Sequence, residues 1–330
     1  MMETCFALSA HCVFSRQLLH VEYETTPPAF TGMAEGHADI HGNVSDGYSN
    51  TMSITRKAHI NGIDLAWSDT GQGAPIIFLH AFPMNRTMWE PQVAGLTHRY
   101  RVITIDLRGH GESDAPLWRY TLGHFVEDII GILDHLAIAQ ATFVGLSMGG
   151  YILFALYRMD PARVRSLVLA DTRATADTPE TRATRFSMAQ VAYRRGASAI
   201  ADLMLPTLLS PRSLAHRTDV RDRVRAIITG NQASGIAGDL MAMEERTDST
   251  PLLSRINVPT LVLVGEDDRA SPPAEMERMA GHIPASTFVR IPHAGHLSNM
   301  ENPEAFNAAI CSFCGRHEER SEHEPPVQEG

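Results

Sequence analysis

The chain has 330 residues, 44% of them hydrophobic, with 28 Lys and Arg against 38 Asp and Glu and a formal net charge of −10. That length and apolar content suffice for a full core, as one large α/β domain or a domain with an insertion. The negative field repels polyanions and argues against a nucleic-acid partner or an anionic membrane surface, and no apolar stretch reaches the length of a membrane span.

The first residues, MMETCFALSAHCVF, make a poor secretory signal, because they carry Glu3 and no Lys or Arg, and His11 interrupts the apolar run. A cytoplasmic protein is therefore expected. Residues 1–51 are rich in Gly, His, Ser and Asp and hold no sustained period of 2 or 3.6, so they read as a disordered extension. His37, Asp39 and His41 within it read as solvated side chains rather than a metal site.

From Met52 the texture changes. ITRKAHINGIDLAWSDTG reads as two strands joined at Asn61-Gly62, a hairpin turn signal. PIIFLH (75–80) is a continuous apolar run, as expected of a strand buried on both faces. A loop AFPMN and a helix around RTMWEPQVAGL follow. RVITID (101–106) is a second buried strand, and LRGHGESDAP a turn-rich loop. Residues 121–137 carry Phe125, Ile129, Ile132, Leu133 and Leu136 on one side of an amphipathic helix.

ATFVGL is a strand that runs into Ser147, and GGYILFALYRM after it is a helix. VRSLVLA (164–170), PTLVLVG (259–265) and STFVRIP (286–292) supply three more strands. Such alternation means an α/β fold: a mostly parallel sheet with helices on both faces. The span 172–257 breaks the rhythm with helix-like stretches and no convincing strand, and reads as an inserted helical cap. The core is then 52–171 plus 258–315, with 316–330 a disordered tail. Near its end, PEAFNAAICSFCG has helical periodicity, so Cys311 and Cys314 read as buried or half-buried thiols, not as a zinc pair.

FVGLSMGGY (143–151) carries the chemistry. A phosphate loop would need a Lys after its glycines, and a helix cap explains a serine but not the flanking Gly145 and Gly149. Strand, Gly-Leu-Ser-Met-Gly, helix is the nucleophile-elbow pattern, with Ser147 on a strained turn. A serine hydroxyl needs a base and an orienting acid, which follow it in the order acid, then histidine. Asp268, just beyond one strand, and His296, just beyond the last, both sit at C-terminal strand ends, where open α/β sheets gather their sites.

From about Met52 to Gly315 the chain resembles the α/β-hydrolase superfamily, most closely small bacterial carboxylesterases and 3-oxoadipate enol-lactonases, with cofactor-free haloperoxidases nearby. The resemblance rests on the G-x-S-x-G elbow, the G-x-x-D-x-x-x-P stretch from Gly265 to Pro272, the Gly295-His296 dipeptide and the loop HAFP, where Ala81 stands in place of the family's glycine. It implies Ser147 as nucleophile, Asp268 as acid and His296 as base, with backbone N–H groups of Phe82 and Met148 forming an oxyanion hole. Family spacing favours Asp268 over Asp267. Asp171 occupies a position that some relatives use instead. His293 reads as a loop residue, and Asp106, Arg108 and His110 as a structural loop bracing the site from behind.

The expected activity is hydrolysis of carboxylic esters of short to medium acyl chain, with lactone hydrolysis, carbon–carbon bond hydrolysis and perhydrolysis as rivals on the same residues. Dehalogenase and epoxide-hydrolase relatives carry Asp where Ser147 stands. A non-catalytic ligand receptor on the same fold is the reading from a different class. No cofactor or metal is called for. The expected partner is a small-molecule ester or lactone, self-association into a homo-oligomer being left open. Met84 and Leu297 are expected to wall the acyl site, whereas Met188, Met204, Met241 and Met243 read first as cap core. Arg173, Arg182, Arg185, Arg194 and Arg195 are the cap's candidate cations for a substrate carboxylate, although such side chains usually point to water.

Overall fold

The computed structural model describes residues 54–117 and 119–323, with side chains to residue 316. The extension expected at 1–51, with His37, Asp39 and His41, lies outside the described residues, as do Cys5, Cys12 and the chain from 324 onward.

Eight strands form one sheet: β1 (Thr55–Ile60), β2 (Ile63–Thr70), β3 (Pro75–Leu79), β4 (Arg101–Asp106), β5 (Ala141–Leu146), β6 (Val164–Ala170), β7 (Thr260–Gly265) and β8 (Ser286–Ile291). Their order is β1-β2-β4-β3-β5-β6-β7-β8. β1 and β2 pair antiparallel through Asn61 and Gly62, which adopt φ of 53° and 80°, and β2 joins β4 antiparallel. All remaining pairs are parallel. The central strands β5 and β7 are buried at every position, because helices cover both faces and leave no side for water.

The helices of the core and the cap follow in chain order. α1 (Glu90–Leu96), α2 (Leu122–His135) and α3 (Met148–Met159) belong to the core. α2 starts at a capping box in which the Thr121 side chain accepts from His124 N–H, and it buries Phe125, Ile129, Ile132 and Leu133. α4 (Pro179–Leu208), α5 (Pro211–His216), α6 (Thr218–Thr229), α7 (Ala233–Glu244) and α8 (Thr250–Leu253) lie between β6 and β7, so the regular structure of the insertion is helical. α4 is interrupted at Gly196, whose φ of 76° leaves helical space. α9 (Pro273–Gly281) lies between β7 and β8, and α10 (Ser298–Glu301) and α11 (Pro303–His323) close the chain.

α11 runs past residue 315, the limit expected for the core, because its apolar face continues to Phe313 and Cys314, which pack into the core and carry the helix forward. Cys314 is buried and Cys311 half-buried on this helix. In the cap, Met243 is buried and Met188, Met204 and Met241 are half-buried against the core.

Candidate active site

Ser147 sits between β5 and α3 with φ 55° and ψ −109°, a left-handed conformation that costs a non-glycine residue energy and is kept only where its surroundings over-determine it. They do. Its N–H donates to Ala170 C=O at 2.9 Å. Its carbonyl accepts from Gly150 N–H at 2.9 Å and from the Thr172 hydroxyl at 2.8 Å. The tightness of the turn explains the glycines. A Cβ on Gly145 would lie 2.5 Å from Gly149 C, and one on Gly149 would lie 2.4 Å from Leu79 O. Ser147 itself is half-buried, whereas its neighbours along the turn are buried.

Asp268 and His296 come from the loops after β7 and β8. His296 Nδ1 and Asp268 Oδ2 are 2.9 Å apart, with almost no exposure on either side chain. Asp268 Oδ1 accepts from the N–H groups of Ala270 at 2.8 Å and Ser271 at 3.0 Å. These contacts hold the carboxylate still and engage the imidazole at Nδ1. Asp267 and His293 are both exposed.

The HAFP loop is a turn in which Met84 N–H donates to Ala81 C=O at 2.8 Å. His80 braces it. Its Nε2 accepts from Leu107 N–H at 3.1 Å, so Nδ1 carries the proton and donates to Ala81 C=O at 3.0 Å. Burial first, and the nearby His110 second, push the His80 pKa well below its ordinary value, which keeps the ring neutral in this role. From the cap, Asn231 donates to Pro83 C=O at 2.9 Å and Met84 C=O at 3.1 Å. Phe82 lies inside this clamped turn, and Met148 opens α3, where first-turn N–H groups have no acceptor four residues back. Met84 and Leu297 are both fully buried, and Leu297 N–H is tied to Leu208 C=O at the end of α4 (3.1 Å).

Asp106, Arg108 and His110 serve the scaffold. Asp106 is buried against Arg86 and takes the Glu112 N–H at 2.9 Å. Arg108 grips Asp128 through two contacts of 2.6 Å. His110 pairs with Asp239 of α7.

Among the arginines, Arg182, Arg194 and Arg195 are exposed, while Arg173 and Arg185 are half-buried. Sequence reasoning passed over Arg246. It is buried, lies 4.1 Å from the centre of the Tyr151 ring, and donates to Asp177 at 2.8 Å. It also passed over Asn231, Asp239 and Ser298, for which no motif or period gave a signal. His80 was legible as the first residue of HAFP.

Residues 74–303 match the family described as the alpha/beta hydrolase fold. The chain belongs to that family. It is 33% identical over 235 residues to 3-oxoadipate enol-lactonase 2 of Acinetobacter baylyi, covering 71% of this chain and 86% of that one. Among solved structures, it resembles a thermophilic esterase from Thermogutta terrifontis with a TM-score of 0.77 and 40% identity, over 82% of this chain and all of that one. It likewise resembles the enol-lactonase from Burkholderia xenovorans, with a TM-score of 0.74 and 32% identity over 79% of this chain and all of the other. The protein is a hydrolase of this fold, akin to enol-lactonases and esterases.

Proposed function

We propose that the protein hydrolyses carboxylic esters of short to medium acyl chain through a Ser147–His296–Asp268 triad and an acyl-enzyme. The observation that carries this reading is the buried His296–Asp268 contact of 2.9 Å, on loops that end at the same edge of the sheet as the Ser147 elbow. His296 takes the Ser147 proton while Asp268 holds its other ring nitrogen. The alkoxide attacks the ester carbonyl, and the Phe82 and Met148 amides receive the developing oxyanion, each contributing ~3 kcal/mol of transition-state stabilisation. The alcohol departs with the proton from His296, and water then releases the acid. No step calls on a cofactor.

A lactone hydrolase is the second reading. The similarity to two enol-lactonases favours it, and so does a surplus of positive charge beside α3, where Arg185 and Arg246 share the single carboxylate of Asp177. Arg246 already has two partners, the Asp177 carboxylate and the Tyr151 ring, which places simple esters first. The deciding experiment compares kcat/KM for p-nitrophenyl butyrate and for 3-oxoadipate enol-lactone in wild type and Ser147→Ala. Ester turnover that survives Ser147→Ala overturns the triad. A lactone preference of about a hundredfold reverses the ranking of substrates.

A further inference from the structure

Behind the Asp268–His296 pair stands a second carboxyl that this mechanism leaves unused. Asp171 follows β6, is fully buried, and has a φ of 46°. Its Oδ1 accepts Gly265 N–H at 2.8 Å, and its Oδ2 accepts the Ser298 hydroxyl. Its carbonyl accepts the Ser271 hydroxyl at 3.1 Å. Asp171, Asp268 and His296 each bring one polar atom within 4.8 Å of the others'.

Two buried carboxyls this close to one another disfavour being ionised together, because like charges repel strongly where water is excluded. A proton on one of them relieves that repulsion, and the donors around the pair decide which. Asp268 faces three N–H donors, from Ala270, Ser271 and His296, and therefore acts as the acceptor. Those three fill all but one of the roughly four acceptor sites of a carboxylate. Asp171 faces one N–H and one hydroxyl, and neither is a cation. Burial, followed by the Asp268 charge, also pushes the Asp171 carboxyl well above the usual carboxylate range. The titratable groups facing Asp171 are Asp268, on the loop after β7, and His296, on the loop after β8; its remaining contacts are backbone amide and serine hydroxyls.

We infer that Asp171 is a neutral carboxylic acid that donates its proton to the remaining acceptor site of Asp268, and is thereby a positioning residue for the carboxylate that orients His296. The inference rests on Asp268 being the partner of His296 in the proposed mechanism. The relay runs Ser298, Asp171, Asp268, His296. It links the loops after β6, β7 and β8, so the imidazole is fixed by three strand ends.

Infrared difference spectroscopy of wild type minus Asp171→Asn at neutral pH tests the proton directly, whether or not Ser147 is the nucleophile. The expected result is a carboxylic-acid carbonyl band present in wild type and lost in the variant. A carboxylate band in its place overturns the proposal. Kinetics test the positioning role. Asp171→Asn keeps the shape and an N–H donor, and should lose no more than about threefold in kcat. Asp171→Leu removes the donor to a charged acceptor and should lose about tenfold or more in kcat with KM little changed. Equal losses in the two folded variants count against the role; if the Leu variant does not fold, the infrared result decides alone. An inert Asp171→Asn beside an active Asp268→Asn would instead make Asp171 the partner of His296, and that removes the triad reading itself.

Discussion

His110 Nε2 and Asp239 Oδ2 lie 2.6 Å apart with neither side chain exposed, and the two residues join the loop after β4 to α7 of the cap. Burial pushes the Asp239 carboxyl upward and the His110 contact opposes that shift, so the pair depends on both members. Removing one partner leaves the other polar group buried without it. His110→Ala should therefore cost about 3 kcal/mol or more in urea unfolding. The double variant His110→Ala with Asp239→Leu should recover part of that loss. A single-variant cost below about 1 kcal/mol would show that the pair does not hold the cap.

Ser147→Ala should lower ester turnover by about four orders of magnitude or more while the thermal unfolding midpoint stays near wild type. The hydroxyl is half-buried at a turn held by backbone contacts, so its loss leaves the scaffold bonds in place. Circular dichroism alongside steady-state assays separates the two effects.

Asp268→Asn should reduce kcat by about 10⁴, since an amide facing His296 Nδ1 selects the wrong ring tautomer. The same change at Asp171 should be far milder. Measuring both variants on one ester ranks the two carboxyls, and the reverse order contradicts the assignment.

His80 links stability to pH. Its pKa is held well below the ordinary value of about 6.5 that it regains on unfolding. Below that pH the unfolded chain binds the extra proton, so stability is lost as pH falls, by ~1.4 kcal/mol per pH unit once the unfolded histidine is charged. Urea unfolding between pH 7 and 5 should show a slope that is shallower by about this amount in His80→Gln. Identical slopes would mean that His80 takes up its proton in the folded state.

Acyl-chain length tests the substrate reading. On the expectation that Phe82, Met84, Met148 and Leu297 wall the acyl site, each added methylene should contribute about 0.8 kcal/mol, or about fourfold in kcat/KM, until the site is filled. p-Nitrophenyl esters from acetate to hexanoate should climb, and palmitate should be turned over poorly. A lactone preference that is lost on changing Arg173 or Arg246 would replace this reading with the carboxylated substrate.

All eight strands, the Asn61-Gly62 turn and the helical insertion were legible in the chain, because each is set by local pattern. An apolar run of five or six residues buried on both faces has few alternatives to a central strand, as at β3, β5 and β7. The elbow was legible too, since only glycine fits beside Ser147 where the backbone of Gly149 meets Leu79. Tertiary structure alone decided between neighbours that are chemically alike. Asp267 and Asp268 differ by one position, yet one faces water and the other His296. Only the parallel order of β6, β7 and β8 brings Asp171 against Asp268 from 97 residues away in the chain, a distance given by their numbering. The same holds for Asn231 on the Pro83 turn, Asp239 on His110 and Arg246 on Tyr151. Each is a single polar side chain whose partner is distant in sequence, and no local period records such a contact.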